Sequence, residues 1–203
     1  LVTMLSITST VARPITFDDL YDMPRPHSPR ISPDGRQVVF VLRTTDWEAE
    51  RYQSHLWLMR VDGANKRQIT FSEGSEHSPQ WSRDGRYIYF LSSRRGESQL
   101  WRLPVADGGE ASVIASLSGG IYDYKLHPEG NSAVVVTSGA PEATTIEGLT
   151  EAGEKDGEGA IEAMSFDHLM YRHYNHWDDG TINQLWRIEF ETGEAERLAA
   201  SEY

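Results

Sequence analysis

Residues 166–180 concentrate the side chains of this sequence that could contact a ligand. The segment mixes aromatic, histidine and charged residues, and such a mixture on a loop suits ligand contact better than core filling. The residues that we expect to face a substrate are Arg172, His173, His176, Trp177 and Asp178. A second interpretation stays open, in which the segment is an elongated hairpin whose aromatic side chains pack on the rest of the fold.

His173, His176 and Asp178 are residue types that bind metal ions, but their spacing matches no zinc template. We therefore predict no metal and no other cofactor. Asp178 and Asp179 are adjacent, and neighbouring residues of an extended chain point in opposite directions. They are for that reason not assigned as a general acid and base.

The sequence lacks the motifs that usually carry a nucleophile or a phosphate. No G-x-S-x-G is present, although a serine hydrolase normally holds its nucleophile in that turn. The two glycine-rich phosphate-binding patterns, G-x-x-x-x-G-K-[ST] and G-x-G-x-x-G, are also absent. The prediction is that none of these 203 residues is catalytic.

Composition excludes several other kinds of protein. The formal net charge of -12 argues against binding nucleic acid, because phosphates require clustered Lys and Arg. Cysteine is absent, so disulfides, zinc–thiolate sites and a cysteine nucleophile are excluded. No apolar run reaches the roughly 18 residues of a membrane-spanning helix. Residues 1–12 are mildly apolar, and we interpret them as a disordered leader, a first strand or the remnant of a secretion signal.

A turn motif recurs along the chain. Residues 28–36 (SPRISPDGR) return as residues 78–86 (SPQWSRDGR), 50 positions later. A weaker third copy contains Gly130, which lies 45 positions after Gly85. An apolar strand is predicted after each copy, and Asp-Gly pairs of this kind favour tight hairpins.

A second motif follows at residues 55–61 (HLWLMRV), 99–105 (QLWRLPV) and 184–190 (QLWRIEF). At every second position one face carries a tryptophan followed by apolar residues, whereas the opposite face is mixed. This alternation predicts half-buried strands, in which the aligned tryptophans Trp57, Trp101 and Trp186 pack one unit against the next.

The two motifs together give a repeat of about 45 residues with four short antiparallel strands, which is the blade of a β-propeller. The predicted fold is all-β, a partial β-propeller of about three four-stranded blades with a short N-terminal helix. Residues 1–26 form the leader and helix, and residues 27–203 the incomplete propeller. The predicted blades are residues 27–71, 77–116 and 121–199. Propellers typically need 4–8 blades, so we expect the chain to be part of a longer or cleaved polypeptide.

The third unit carries an insertion at residues 141–180. Gly130 and Leu185 are 55 positions apart, against 21 and 15 positions in the first two units. Residues 141–163 hold seven acidic residues and one lysine, and we expect a mobile solvated loop or, alternatively, a lid or docking loop. At the other end of the chain, Thr16 and Asp19 have the spacing of a capping box, and Pro24 and Pro26 end the predicted helix.

Three segments carry a resemblance to known proteins: HSPRISPDGRQVVFVL, SPQWSRDGRYIYFLSSRRGESQLWRLP and LMYRHYNHWDDGTINQLW. They resemble the N-terminal propeller of the prolyl oligopeptidase family of serine peptidases. Residues 171–180 are similar to a segment of dipeptidyl-peptidase V-like and acylaminoacyl-peptidase-like members.

The resemblance implies a propeller that caps a C-terminal α/β-hydrolase domain and restricts entry to short or partly unfolded peptides. That domain would supply the Ser, Asp and His residues, so catalysis would lie beyond Tyr203 or in a second cleaved chain. The resemblance also implies release of dipeptides or acylated residues from peptide N-termini. The two-glutamate amine-binding motif of dipeptidyl-peptidase IV-like members is not recognisable here.

Two other functions stay open. Propellers of the TolB type share the blade motifs, and such a protein would be a periplasmic scaffold that binds a protein partner. A fragment of three blades could instead associate with itself to complete a ring. A periplasmic or secreted location is favoured, with a cytoplasmic one as the alternative.

Overall fold

The computed structural model describes residues 13–105, 109–146, 148–149, 172–173, 176–177 and 181–200. The first element is a helix, α1 (Phe17–Asp22). Blade 1 consists of β1 (Arg25–Ile31), β2 (Gln37–Asp46), β3 (Arg51–Arg60) and β4 (Arg67–Gln68). Blade 2 consists of β5 (Glu76–Trp81), β6 (Tyr87–Ser92), β7 (Gln99–Pro104) and β8 (Ser112–Ala115). Blade 3 consists of β9 (Asp123–Leu126), β10 (Ser132–Gly139), β13 (Ile182–Glu189) and β14 (Ala195–Ala200). A small hairpin of β11 (Arg172–His173) and β12 (His176–Trp177) lies between β10 and β13.

Each blade is a four-stranded antiparallel sheet whose strands are neighbours in chain order, except that β11 and β12 come between β10 and β13 of blade 3. Three such sheets and one short helix confirm the predicted fold class. Antiparallel neighbours can be joined by short connections, so the turn residues of the repeat explain the topology of blades 1 and 2.

The repeated turn is held by a serine and an aspartate. The Ser32 hydroxyl donates to the Asp34 carboxylate at 2.6 Å, and Ser82 donates to Asp84 in the same way. Each serine oxygen also accepts the backbone N–H five residues later. Gly35 completes the turn at φ 71°, a conformation that glycine adopts without strain. These bonds join residues close together in the chain, which explains why the sequence motif of the turn predicts its structure.

The antiparallel path of the chain sorts the connections of each blade into two groups. Turns after the first and third strands lie at one end of the sheet, which we call the turn end. Connections after the second strand, and crossovers to the next blade, lie at the opposite end, which we call the insertion end. The connections at the insertion end are residues 47–50, 93–98 and 140–181, and the crossovers are residues 69–75 and 116–122.

The prediction of half-buried third strands is wrong for blade 2, because Leu100 and Trp101 are buried on opposite faces. In blade 1 the strand is buried on one face as predicted, but that face carries Leu56 and not Trp57. In blade 3 the buried face is the predicted one, which carries Trp186. Leu56 packs in a cluster with Ile88 and Phe90 of blade 2. Blade 2 therefore presents one face to blade 1 and the other face to blade 3.

The aligned tryptophans confirm this arrangement. Trp101 is buried against Val39 and Val41 of blade 1, and Trp186 is buried in a cluster that contains Tyr89 of blade 2. Trp57 occupies the same register position in blade 1 and is only half-buried, because no described residue forms a preceding blade.

Helix α1 is capped as predicted. The Thr16 side chain accepts from the Asp19 backbone N–H, and the Asp19 carboxylate accepts from the Thr16 backbone N–H. Arg13 adds an ion pair to Asp19, and this arginine together with the Thr16 bonds holds the pKa of Asp19 well below its usual range. The helix lies against the end of β2, where the Thr45 hydroxyl donates to the Tyr21 carbonyl.

Trp186, which is buried between two blades, and Trp57, which is half-buried, give a matched test of packing between blades. In the 203-residue chain, Trp186→Ala should lower the free energy of unfolding by about 3–5 kcal/mol, because it leaves a cavity between two blades. Trp57→Ala should cost clearly less, because its ring is already partly in water. Urea unfolding followed by circular dichroism measures both, and equal losses would contradict face-to-face packing as the source of the burial.

Candidate functional site

Four of the five predicted substrate-facing residues lie on the hairpin of β11 and β12. In its register Arg172 pairs with Trp177, and His173 pairs with His176. The hairpin belongs to the connection between β10 and β13, so it leaves blade 3 from the insertion end. Asp178, the fifth predicted residue, lies outside the described residues.

Blade 3 fixes both ends of this connection. Where it begins, Gln184 Nε2 donates to the Ala140 carbonyl at 2.7 Å, and Arg197 Nη1 donates to the Pro141 and Ala143 carbonyls at 2.8 Å each. Where it returns, the Ser138 hydroxyl lies 2.8 Å from the Thr181 hydroxyl. The insertion therefore starts and ends on hydrogen-bonded strands, which is how a rigid scaffold positions a functional loop.

The first residues of the predicted acidic loop are not solvated throughout. Ala143 and Leu149 are buried and belong to the apolar cluster that contains Trp186. For these two residues the expectation of a mobile solvated loop is wrong, because their apolar side chains pack onto blade 3. Residues 150–163 of that loop lie outside the described residues.

A buried carboxylate, Glu76, joins blades 1 and 2 at the insertion end. It has no solvent exposure and starts β5. Its oxygens accept from five partners: Ser72 Oγ, Thr70 Oγ1 (3.0 Å), Arg94 Nη2 (3.0 Å), His55 Nδ1 (2.7 Å) and the more distant Ser92 Oγ (3.5 Å). A carboxylate only accepts hydrogen bonds, so His55 carries its proton on Nδ1 in this contact.

The Glu76 cluster stabilises one relative position of the two blades. Burial of a carboxylate is costly unless it is paired and hydrogen-bonded, and here Arg94 supplies the opposite charge. Thr70 extends the cluster, because its Oγ1 also accepts from the Leu56 backbone N–H at 2.8 Å. Sequence reasoning missed the cluster because its members come from three strands and two connections. Glu76, the first residue of β5, belongs to no recognisable sequence motif.

Three titratable residues occupy equivalent positions on the first strands of the blades. His27 pairs with Val41, His77 with Leu91 and Asp123 with Val136. Ser28 and Ser78 follow the two histidines in the left-handed backbone region, and each hydroxyl is hydrogen-bonded to the preceding ring nitrogen. The repeat therefore arranges His27, His77 and Asp123 as a row along the innermost strands.

His77 is the member of this row whose protonation is perturbed. Burial lowers its pKa below the ordinary value, and neighbouring His27 lowers it further, while Asp123 and Glu76 act in the opposite direction. The neutral ring is favoured in the folded protein.

Within the described ranges no group of three or more His, Cys, Asp or Glu side chains could hold a metal ion.

Three consecutive four-stranded blades, each packed face to face on the next, define part of a β-propeller. A family model, PD40, described as the TolB beta propeller domain, matches residues 24–155. The chain belongs to this family.

Peptidases are among the proteins that this chain resembles. The uncharacterized peptidase YuxL of Bacillus subtilis is 26% identical over 187 residues, which are 92% of this chain and 28% of that protein. A dipeptidyl-peptidase 5 of Porphyromonas endodontalis is 26% identical over 148 residues, 72% of this chain and 20% of that protein. The acylaminoacyl peptidase of Pyrococcus horikoshii has a similar fold, with a TM-score of 0.62 at 15% identity over 90% of this chain and 25% of that one.

The chain spans about a quarter of the length of these relatives. The structural likeness establishes the propeller fold, and the family match agrees with it.

None of the helices in the described part of the chain is long and apolar enough to cross a membrane.

The Glu76 cluster predicts a large loss of stability when its carboxylate is removed. Glu76→Ala should lower the free energy of unfolding by about 3–5 kcal/mol, because Arg94 is left partly buried without its counter-charge. Glu97→Ala, in the exposed connection of the same blade, should change it by less than about 0.5 kcal/mol. Urea titration of both variants measures the difference, and a loss at Glu76 no larger than at Glu97 would show that the cluster does not hold the blades.

The lowered pKa of His77 predicts a loss of stability in acid. Below about pH 6.5 the unfolded chain binds a proton at this histidine before the folded chain does, so the free energy of unfolding falls as the pH falls towards the folded pKa. His77→Asn should flatten the stability profile between about pH 5 and pH 7. The same substitution at exposed His127 is the control, and an unchanged profile in the His77 variant would refute the assignment.

Proposed function

We propose that this chain is the substrate-gating propeller of a serine peptidase of the prolyl oligopeptidase family. The observation that supports it is that a protein named a peptidase matches 187 of the 203 residues, insertion included. In this proposal the catalytic Ser, Asp and His belong to an α/β-hydrolase domain outside these residues, in the same polypeptide or a cleaved second chain. The propeller restricts entry to short peptides, and the whole protein releases dipeptides or acylated residues from their N-termini.

The insertion is the part of the blades that would touch the peptide. Loops held on a rigid scaffold are the usual place for binding residues, and both ends of this connection are hydrogen-bonded to blade 3. We assign substrate contact to Arg172, His173, His176, Trp177 and Asp178. A cation, two imidazoles and an indole can bind peptide carbonyls, carboxylates and apolar side chains.

A second function is a scaffold of the TolB type that binds a protein partner and has no hydrolase domain. It is favoured by the description of the family model that matches residues 24–155. The peptidase reading explains the long insertion in blade 3, which a simple scaffold does not require. For either function we propose a periplasmic or secreted location.

A fluorophosphonate probe on the full-length protein tests the peptidase proposal. We expect one covalent adduct on a serine of a G-x-S-x-G turn that lies C-terminal to residue 203. Trp177→Ala in the full-length protein should keep this labelling and raise KM for a peptide substrate about tenfold, the loss of a contact worth about 1.4 kcal/mol.

The control for this experiment is Val113→Ala, on the outermost strand of blade 2, which should leave KM unchanged. No labelling of the folded full-length protein would refute the peptidase function and favour the scaffold. Labelling with an unchanged KM in the Trp177 variant would instead refute the role of the insertion in substrate contact.

A further inference from the structure

Two arginines lie opposite each other at the insertion end of blade 1. Arg25 is the first residue of β1, and its register partner on β2 is Arg43. We call these two residues the arginine pair. Both guanidinium groups lie over the ring of Tyr52, with the Cζ atom of Arg43 3.9 Å and that of Arg25 6.0 Å from the ring centroid. Like charges directly opposite each other on a sheet are destabilising, so the pair needs an anion to offset the repulsion.

The blade fold does not require the arginine pair. The equivalent positions of blade 2 are Ser75 and Ser93, because Arg25 and Ser75 each lie two residues before the repeated histidine, His27 or His77. The Ser93 backbone N–H donates to the Ser75 carbonyl at 3.2 Å, and the Ser75 N–H donates to the Ser93 hydroxyl at 3.3 Å. A neutral pair therefore satisfies the repeat, and the two charges of blade 1 need an explanation other than folding.

The carboxylates of the described chain do not neutralise the arginine pair. Neither Arg25 nor Arg43 forms an ion pair with a described residue. The acidic residues close to them in sequence have other partners, since Asp22 accepts from Trp47 Nε1 and Asp46 accepts from two backbone N–H groups of the β2–β3 connection. The Arg43 Nε is buried and has no hydrogen-bond partner among the described residues, which is uncommon in native proteins and fits a site that binds a ligand.

The geometry of the arginine pair suits a carboxylate. The ring of Tyr52 holds the Arg43 guanidinium by a cation–π contact over its face. A stacked guanidinium keeps N–H groups at its edge, and this planar fork can donate two parallel hydrogen bonds to the two oxygens of a carboxylate. In a chain of net charge -12, two such groups over one ring form a local positive site.

We propose that the arginine pair binds the C-terminal carboxylate of the peptide substrate. This proposal rests on the proposed function, in which the whole protein cleaves near the peptide N-terminus. The catalytic domain then holds the N-terminal part of a short peptide, and the propeller is left to contact its C-terminal end. Arg25 and Arg43 lie at the insertion end, which also carries the hairpin of β11 and β12, so both groups of substrate contacts belong to the same end of the blades. A site of this kind selects peptides with a free C-terminus.

Two peptides of identical sequence, one ending in a carboxylate and the other in an amide, test the proposal on the full-length protein. The free acid should have a kcat/KM at least about tenfold higher, because the amide loses charge-assisted hydrogen bonds to the arginines. Arg43→Gln and Arg25→Gln should each remove most of this preference by lowering kcat/KM for the free acid alone. Arg95→Gln is the matched control and should keep the preference, since Arg95 is exposed at the same end and also lies over an aromatic ring, Trp101.

The same variants separate a peptide carboxylate from one supplied by the rest of the polypeptide. Glutamine variants that lower kcat/KM equally for both peptides would show that the arginines pair with a protein carboxylate, and this would overturn the proposal. Circular dichroism checks the fold of each variant, and exposed Arg25 reports on the site even where substitution of the less exposed Arg43 disturbs the blade.

Fluorophosphonate labelling of the same sample distinguishes this proposal from the proposed function. Labelling together with equal kcat/KM for the acid and the amide overturns the carboxylate site alone. The absence of labelling overturns the peptidase function, and with it the assignment of the arginine pair to a substrate.

Discussion

Burial of the sheet faces that lie between adjacent blades is the constraint on which the rest of this structure depends. A four-stranded blade is too thin to form a core alone, so it gains stability only where its apolar faces leave water against neighbouring blades. Leu56 on one face and Trp101 on the other belong to a single cluster that unites blades 1 and 2. The same contact is repeated between blades 2 and 3, where Leu100 and Trp186 share a cluster. The chain order of the blades follows from this repeated packing.

The packing leaves the two ends of the sheets free to differ. At the turn end the connections after the first strands of blades 1 and 2 repeat the same serine–aspartate hydrogen bond, which fits a structural role. The insertion end collects helix α1, the buried Glu76 cluster and the long connection of blade 3. Variation is tolerated there because connections lie on the surface and their lengths do not change the faces that pack.

The Glu76 cluster and the exposed aromatic residues Phe17 and Trp47 represent two different uses of side chains at the insertion end. Glu76 is surrounded by donors and excluded from water, which fits a role in holding two blades together. Phe17 and Trp47 are firmly positioned and yet exposed, which fits contact with something outside the described residues. A fold of this kind serves many functions, so the assignment to a peptidase depends on its relatives and on the insertion and not on the blades themselves.

The sequence by itself determined the features that depend on neighbours along the chain. The Ser32–Asp34 turn, the capping box at Thr16 and the position of the four strands in each blade involve residues a few positions apart, and each has a recognisable spacing. The tertiary structure decided what depends on distant residues. His55 meets Glu76, Leu56 is as buried as Trp186, and His27 falls in one row with His77 only because one blade packs on another. Periodicity shows which residues share a face, but it does not show whether a second sheet covers the other face, and that distinction separates a half-buried strand from one buried on both sides.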